Sequence, residues 1–399
     1  MFNKTLLLGF LLISSSNAEM LDEIVNKAYS NNYDLKSIEK SIQLSDENIK
    51  LAKKWQNPVL SLGINDIWFN DVFSRDNEPM QTQYIGISQV IPVGNKLQIK
   101  EDIQKKDKQI NKYIFEDKKL QLKANIYELS LNILILEKKY TLLNNYQNNL
   151  SKLQKLYMGL YKYGKATQNE ILNTKIANSN INLQKQNIKN NIDNLYLKLE
   201  EITYEKIDSI NSEIVMEKIA LEKSFTNHPK LKILNEKNKK FNKISALELE
   251  KERSDIKVNV AYFNRDEKYN DYANISVNIP LSVYKTEKVK ALKAKIEAKR
   301  ALVDIERLKQ NFKTKVNILE NNMNNSRQNY ELIKKSIIPL KRKIQKNLEN
   351  YNSFDMVKPD VSIKNLNELI SYEIKALNEK QKYYTNISKS IYYVQRLSK

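Results

Sequence analysis

Two long apolar stripes at coiled-coil spacing restrict this chain more than any other feature. Leu122, Ile126, Leu129, Ile133, Leu136, Tyr140 and Leu143 step alternately by four and three residues. Tyr146, Leu150, Leu153, Tyr157 and Leu160 carry the stripe on after one adjustment. A second stripe runs through Ile305, Leu308, Phe312, Val316, Leu319, Met323, Tyr330, Ile333, Ile337, Leu340, Ile344, Leu348 and Tyr351. Apolar residues at this period turn one face of a helix towards a partner along its whole length. The segment 96–160 alone predicts roughly 100 Å of helix at the usual rise, far more than a globular domain needs. Departures from strict heptads, such as Phe312-Val316-Leu319, relax the supercoil towards straighter helices. Pro339 inside the second stripe predicts a kink or a junction between two helical segments. With only 6 Gly and 7 Pro in 399 residues and 29% charged side chains, long helices are expected and a compact α/β enzyme is not.

The two halves repeat each other. Ala28–Leu35 answers to Ser224–Leu231 at an offset of 196, Pro58–Leu62 to Ile256–Val260 at 198, and Ile91-Pro92-Val93 to Ile279-Pro280-Leu281 at 188. Tyr161 answers to Tyr351 at 190, and Asn169–Leu172 to Asn367–Ile370 at 198. The offsets drift where loops are expected. Residues 19–210 form the first repeat, with a hairpin over about 57–93, a long helix over about 96–160 and a return helix over about 167–203. Residues 211–399 form the second, with a hairpin over about 255–283, a long helix over about 286–351 and a return helix over about 363–397.

A helix is expected over 20–54, stopped by Asn57-Pro58 because proline removes a donor and restricts its predecessor. Leu60, Leu62 and Ile64 then alternate with small or polar residues, as do Ile85 and Ile87 after a loop over 66–79. In the second half Ile256, Val258, Val260 and Tyr262 alternate likewise, followed by Ala273, Ile275, Val277 and Ile279. Strands of about ten residues suit a tilted crossing of a bilayer, with one face to lipid and one to a lumen. Periodicity serves a pair of soluble hairpins packed on a helix equally well. If the strands do span, several chains must share one barrel, because an open edge in lipid leaves backbone groups unpaired. Between the first pair of long helices, Tyr161–Thr167 reads as a turn, with Gly164 where a left-handed residue is needed.

Residues 1–18 predict a signal peptide: Lys4 supplies a basic start, Thr5–Ile13 an apolar run, and Ser16-Asn17-Ala18 a cleavage site before Glu19. No later run is long enough for a membrane-spanning helix. Cysteine is absent, which removes disulfides, thiolate chemistry and a lipid anchor on cysteine. The net charge of +20 is spread along every helix without a dense cluster, and with export it argues against nucleic acid as a partner. No phosphate loop, nucleophile elbow or metal-ligand spacing occurs, so no catalytic, cofactor-binding or metal residues are assigned. The single histidine, His228, precedes Pro229 at a helix start and reads as structural.

Asn57–Leu62, Ile87–Gly94, Asn227–Leu231 and Val277–Leu281, with the tip segments Tyr161–Leu172 and Tyr351–Ile370, together resemble the TolC family of outer-membrane efflux proteins. The likeness covers nearly the whole mature chain and lies in the order of the motifs, none of which is specific alone. It implies a mainly α protein with two β-hairpins that forms a homotrimer. Three chains would build a twelve-stranded barrel in the outer membrane, continued by an α-helical barrel through the periplasm. It implies a passive duct served by an inner-membrane pump through a periplasmic adaptor. By position it carries adaptor docking to the tips at Tyr161, Gly164, Thr167 and Tyr351. It carries the closed aperture to Glu170 and Glu368, each otherwise an ordinary solvated helix glutamate. Two departures stand out: Asn32-Tyr33 replaces an expected Asn-Pro, and the second tip lacks glycine and contains Lys358-Pro359-Asp360. The short chain, the small second hairpin loop and the Gln89…Gly94-Asn95-Lys96 segment resemble the heavy-metal branch more than the multidrug branch. A secreted periplasmic coiled-coil adaptor or structural protein without a pore is the alternative. It lacks the Gly-rich β-domain an adaptor should show.

Overall fold

The computed structural model describes residues 19–212, 216–221, 223–352, 359–394 and 397–398, so the expected signal peptide lies outside the described residues. The elements are β1 (Glu19–Met20), α1 (Leu21–Asn31), α2 (Tyr33–Ala52), β2 (Val59–Asn65), β3 (Thr82–Ile91), α3 (Lys96–Lys162) and α4 (Gln168–Thr203). They continue with β4 (Ile210–Asn211), β5 (Ala220–Leu221), α5 (Pro229–Glu250), β6 (Ile256–Asn264), β7 (Tyr272–Asn278) and α6 (Thr286–Leu332). A π-turn (Ile333–Ile337), α7 (Ile338–Asn352), α8 (Pro359–Tyr393) and β8 (Leu397–Ser398) complete the chain. Contacts divide it into two units, one of residues 1–36, 118–225 and 311–399, the other of 37–117 and 226–310. Each of the two expected repeats contributes to each unit, so the expected repeats and the compact units do not coincide.

The first unit is helical. α4 runs back along α3, with Gln147 donating to Asn178 (3.1 Å) and Asn182 (2.6 Å) and Tyr196 to Glu137 (3.1 Å). α8 runs back along α7 in the same way, with Asn365 donating to Gln345 (2.8 Å) and Arg342 paired with Glu373 (2.6 Å). The four helices enclose Leu143, Tyr146, Leu150, Ile181, Ile338, Leu366, Leu369 and Ile370. Two-residue strands hold the ends of the unit: β1 pairs with β4 in parallel, and β5 with β8 antiparallel.

In the second unit, ion pairs join the start of α3 to α2 and α5. Lys108 meets Asp46 (2.5 Å), Lys240 meets Asp107 (2.6 Å) and Lys243 meets Asp102 (2.8 Å). α5 approaches α6 where the latter presents Ala291, Ala294, Ala298 and Ala301, all buried. Small residues let the backbones come close enough for Asn238 and Ser245 to donate to the carbonyls of Ala298 (2.7 Å) and Ala291 (2.9 Å).

Four differences from the sequence reading have local causes. The helix expected over 20–54 divides at Asn32, whose backbone is extended (φ −62, ψ 121). Its side chain accepts from the Leu35 amide (3.2 Å) and donates to the Ile202 carbonyl (3.0 Å), so an asparagine performs the break without proline. His228 has the matching role in the second repeat, accepting from the Lys230 amide at Nδ1 (3.2 Å) ahead of Pro229. The helix expected over about 286–351 is interrupted by the π-turn ahead of Pro339. The return helix begins at Pro359 rather than about 363, since proline is tolerated in a first helical turn. It ends at Tyr393, short of 397, because Leu397 and Ser398 pair with Leu221 and Ala220.

Candidate functional site

Two surfaces carry candidate functional residues, one in each unit. In the second unit, the two hairpins join into one antiparallel sheet of order β2-β3-β6-β7. The pairs Leu60↔Ile87, Leu62↔Ile85, Ile87↔Val260, Ile85↔Tyr262, Val260↔Ile275 and Val258↔Val277 fix the register. Residues opposite one another in a ladder share a face, so this register gathers the alternating apolar residues of all four strands onto one side. That side is open: Leu60, Leu62, Ile85, Ile87, Val260, Tyr262, Ile275 and Val277 are all exposed, Ile275 at 74%. A contiguous apolar face of this kind marks an interaction surface, because water is a poor solvent for it.

The other side carries Ser61, Asn65, Thr82, Ser88, Asn259, Asn274, Ser276 and Asn278, and Lys257 is its only charge. It also carries one aromatic row, along the pairs Gly63↔Tyr84, Tyr84↔Phe263 and Phe263↔Tyr272. The rings of Phe263 and Tyr272 stack at 4.8 Å, and Tyr84 lies 5.3 Å from Phe263. Gly63 lies beneath this row, where a Cβ would come within 2.4 Å of the Tyr84 ring and push it aside. β2 and β7 form the two edges of the sheet, and among the described residues no strand lies beside their outward backbone groups.

The junction from β3 into α3 is tightly held. The Val93 amide donates to Asp255 (3.0 Å), the Asn95 amide to Glu250 (3.1 Å), and Lys96 pairs with Asp255 (2.6 Å). Gly94 takes φ +76, and a Cβ there would meet the Glu250 carboxylate at 2.1 Å. Burial works to raise the Asp255 carboxyl, but hydrogen bonds from Lys96 and the Val93 amide outweigh it and hold the group below its ordinary value.

In the first unit, α3 ends in the turn that contains Gly164. The Gly164 amide donates to the Tyr161 carbonyl (3.0 Å) and the Lys165 amide to that of Leu160 (3.0 Å), and Gly164 adopts φ +70. Thr167 caps α4, accepting from the Glu170 amide (3.4 Å), while the Glu170 carboxylate accepts from the Thr167 amide (2.6 Å). Glu170 is therefore buried and committed to a capping box, the arrangement that satisfies two orphan donors at a helix start. Glu368, on α8, is partly exposed and pairs with Lys341 of α7, whose hydrogen bond and charge hold its carboxyl below the ordinary value. The turn displays Tyr161, Tyr163 and Met158, with Tyr163 at 81% exposure. Tyr163 falls on no stripe, and its place beside a left-handed glycine is the sequence signal that marks it. The backbone of Tyr351 lies at the end of α7, but its side chain and the turn 353–358 are outside the described residues.

Among the described residues no group of His, Asp and Glu could hold a metal ion, and no helix is long and apolar enough to cross a membrane.

No protein-family profile and no curated protein sequence matches this chain. Solved structures do. The CmeC outer membrane channel of Campylobacter jejuni matches with a TM-score of 0.75 at 13% identity, over 95% of this chain and 87% of that one. The outer membrane protein VceC of Vibrio cholerae matches with a TM-score of 0.74 at 8% identity, over 94% and 97%. The open state of the MtrE outer membrane channel of Neisseria gonorrhoeae matches with a TM-score of 0.74 at 11% identity, over 94% and 88%. At such identities the likeness is one of fold, and the fold is that of the outer-membrane channels of the TolC family.

Proposed function

We propose, with that channel fold as the premise, that this chain is one protomer of a trimeric outer-membrane channel in a tripartite efflux or secretion system. The observation that carries the reading is the four-stranded sheet, apolar and exposed on one face, polar on the other, and open at both edges. A membrane-embedded edge must be paired, and four strands from each of three chains close a twelve-stranded wall with no edge left. The apolar face then meets lipid and the polar face lines the duct. The chain acts as a passive conduit, and transport is driven by an inner-membrane pump coupled through a periplasmic adaptor. We read residues 19–210 and 211–399 as two duplicated units, and the turn at Tyr161–Thr167, together with Tyr351 in the second repeat, as the adaptor-docking tips.

For the aperture, Glu368 and Glu170 are the proposed carboxylates, the first tied to Lys341 and the second to its helix cap. Opening at the tip would free Glu368 by separating it from Lys341. A ring of such carboxylates favours cations. Metal cations as cargo rest on the likeness of the Gln89…Lys96 segment and on these glutamates; the polar face of the sheet carries no carboxylate.

Fractionation and electrophoresis test the assembly. The mature protein should sediment with the outer membrane and run in mild detergent as a trimer that dissociates on heating. A monodisperse periplasmic monomer would overturn the reading. In planar bilayers, Glu170→Gln with Glu368→Gln should change conductance and cation preference. An unaltered current–voltage curve would remove both residues from the aperture.

A further inference from the structure

The loop between β2 and β3 displays apolar side chains that the strand register does not account for. The inference rests on the barrel-wall reading above. A wall about 25 Å tall takes strands of roughly 9–11 residues at the usual tilt. β3 and β6 have 10 and 9 residues, but the edge strands β2 and β7 have 7 each. β2 stops where Asp66 turns to φ +52. The chain then presents Ile67, Trp68, Phe69, Val72 and Phe73, all exposed, with Phe69 at 96%.

This loop has a fixed frame. Gln81, fully buried, accepts from the amides of Asn77 (3.0 Å) and Glu78 (3.2 Å) and donates to the Asp66 carbonyl (3.2 Å). Asp71 accepts from the Phe73 amide (3.3 Å), and Arg75 donates to the Arg265 carbonyl (3.3 Å). Trp68, Phe69 and Phe73 all stay exposed on this frame. The following stretch, Ser74-Arg75-Asp76-Asn77-Glu78, is polar throughout.

We propose that Ile67–Phe73 is a lipid-binding collar. Trp68, Phe69 and Phe73 lie in the headgroup–acyl boundary of the membrane leaflet above β2, supplying the height that the short strand lacks, and Ser74–Glu78 stands in water beyond. Lipid is the occupant because the segment continues directly from the lipid-facing row Leu60, Leu62 and Ile64. Aromatic residues with a polar neighbour are also what the membrane–water boundary takes up.

The chain has two tryptophans, one on each side of β2, which makes the test direct. The full chain with Trp55→Phe is reconstituted into phosphatidylcholine vesicles carrying bromine at shallow or deep acyl positions. Trp68 emission should be blue-shifted, quenched more by shallow than by deep bromines, and little affected by iodide. Quenching by iodide without quenching by bromine would place the loop in water and overturn the proposal. Protection from both quenchers would place it against protein, such as a neighbouring copy, and would also overturn it. A chain with Trp55→Phe, Trp68→Phe and Leu62→Trp reports on the wall itself. If bromine quenches that probe but not Trp68, only the collar falls; if it quenches neither, the barrel reading falls with it.

Discussion

The two long helices of this protein start from similar stripes and treat them differently. α3 runs as one helix from Lys96 to Lys162 and buries Leu122, Ile126, Ile133, Leu136, Leu143, Leu150 and Tyr157 of its stripe. Its counterpart buries Ile305, Phe312, Val316, Leu319 and Met323, then passes through the π-turn at Ile333–Ile337. Beyond that turn the buried residues among the described side chains of α7 are Ile338 and Gln345, while the stripe positions Leu340 and Ile344 are exposed. A π-turn holds one residue more than an α-turn, so the inward face moves on by one position. Pro339 supplies the cause. It has no N–H for the carbonyl four residues back, and its ring crowds that carbonyl, at a cost of about 3 kcal/mol in a regular helix. The wider turn relieves both. A stripe read from spacing therefore holds only as far as the helix stays α.

The largest expected effect tests this phase shift. At the offset of 190 that matches Tyr161 to Tyr351, Leu150 answers to Leu340, yet Leu150 is 1% exposed and Leu340 63%. Leu150→Ala should lower stability by roughly 2–5 kcal/mol, as for a cavity in a packed core. Leu340→Ala should change it by no more than about 0.5 kcal/mol. Denaturant unfolding of the two variants decides; equal losses would mean that both helices keep one phase.

The tips come next. Gly164→Val forces a β-branched residue to φ +70, at about 1–2 kcal/mol, and distorts the turn locally. If this turn docks an adaptor as proposed, outer-membrane location and trimer yield should survive while adaptor cross-linking and export are lost. Full export with cross-linking intact would move the docking site elsewhere. Thr167→Ala removes the cap of α4 and should lower stability by about 0.5–2 kcal/mol.

Pro339→Ala should have a smaller energetic effect but a distinct signature. The π-turn can then relax to α and return Leu340 to the inward face. Because the chain has no cysteine, single Leu340→Cys and Ile338→Cys variants report the change by thiol labelling. Position 340 should react faster than 338 with Pro339 present, and the order should reverse without it. An unchanged order would show that packing, rather than proline, sets the π-turn.

The smallest effect concerns pH at the β3–α3 junction. Asp255 is held below its ordinary value of 3.8 by Lys96 and the Val93 amide. The contact therefore contributes fully above that value and is lost as pH falls through the lower folded-state value. Asp255→Asn should flatten the acid end of the stability curve and leave neutral pH nearly untouched apart from the lost ion pair. A curve of unaltered shape would show that this carboxylate titrates as it does unfolded.

Much of the site was legible because its signals are local. Alternation at Leu60, Leu62, Ile85, Ile87 and Val260 gives the strands, since side chains on a pleated backbone point to opposite faces in turn. Gly164 marks the turn because a left-handed residue favours glycine. The role of Glu170 is less legible for the converse reason. Spacing places a glutamate three residues after Thr167, but whether its carboxylate turns back to the cap or out towards an aperture is a matter of rotamer and neighbours.

The sequence by itself thus determines helix and strand and their approximate ends, which follow from period, breakers and order along the chain. Tertiary structure decided the rest. It joined the two hairpins through β3 and β6, because strand pairing depends on which edges meet and not on either hairpin alone. It paired Glu19–Met20 with Ile210–Asn211 and Ala220–Leu221 with Leu397–Ser398, contacts too short to leave a periodic trace. It also chose a π-turn as the response to Pro339, since a proline can be met by a kink, a break or one added residue, and only the packing of the helix beyond it selects among them.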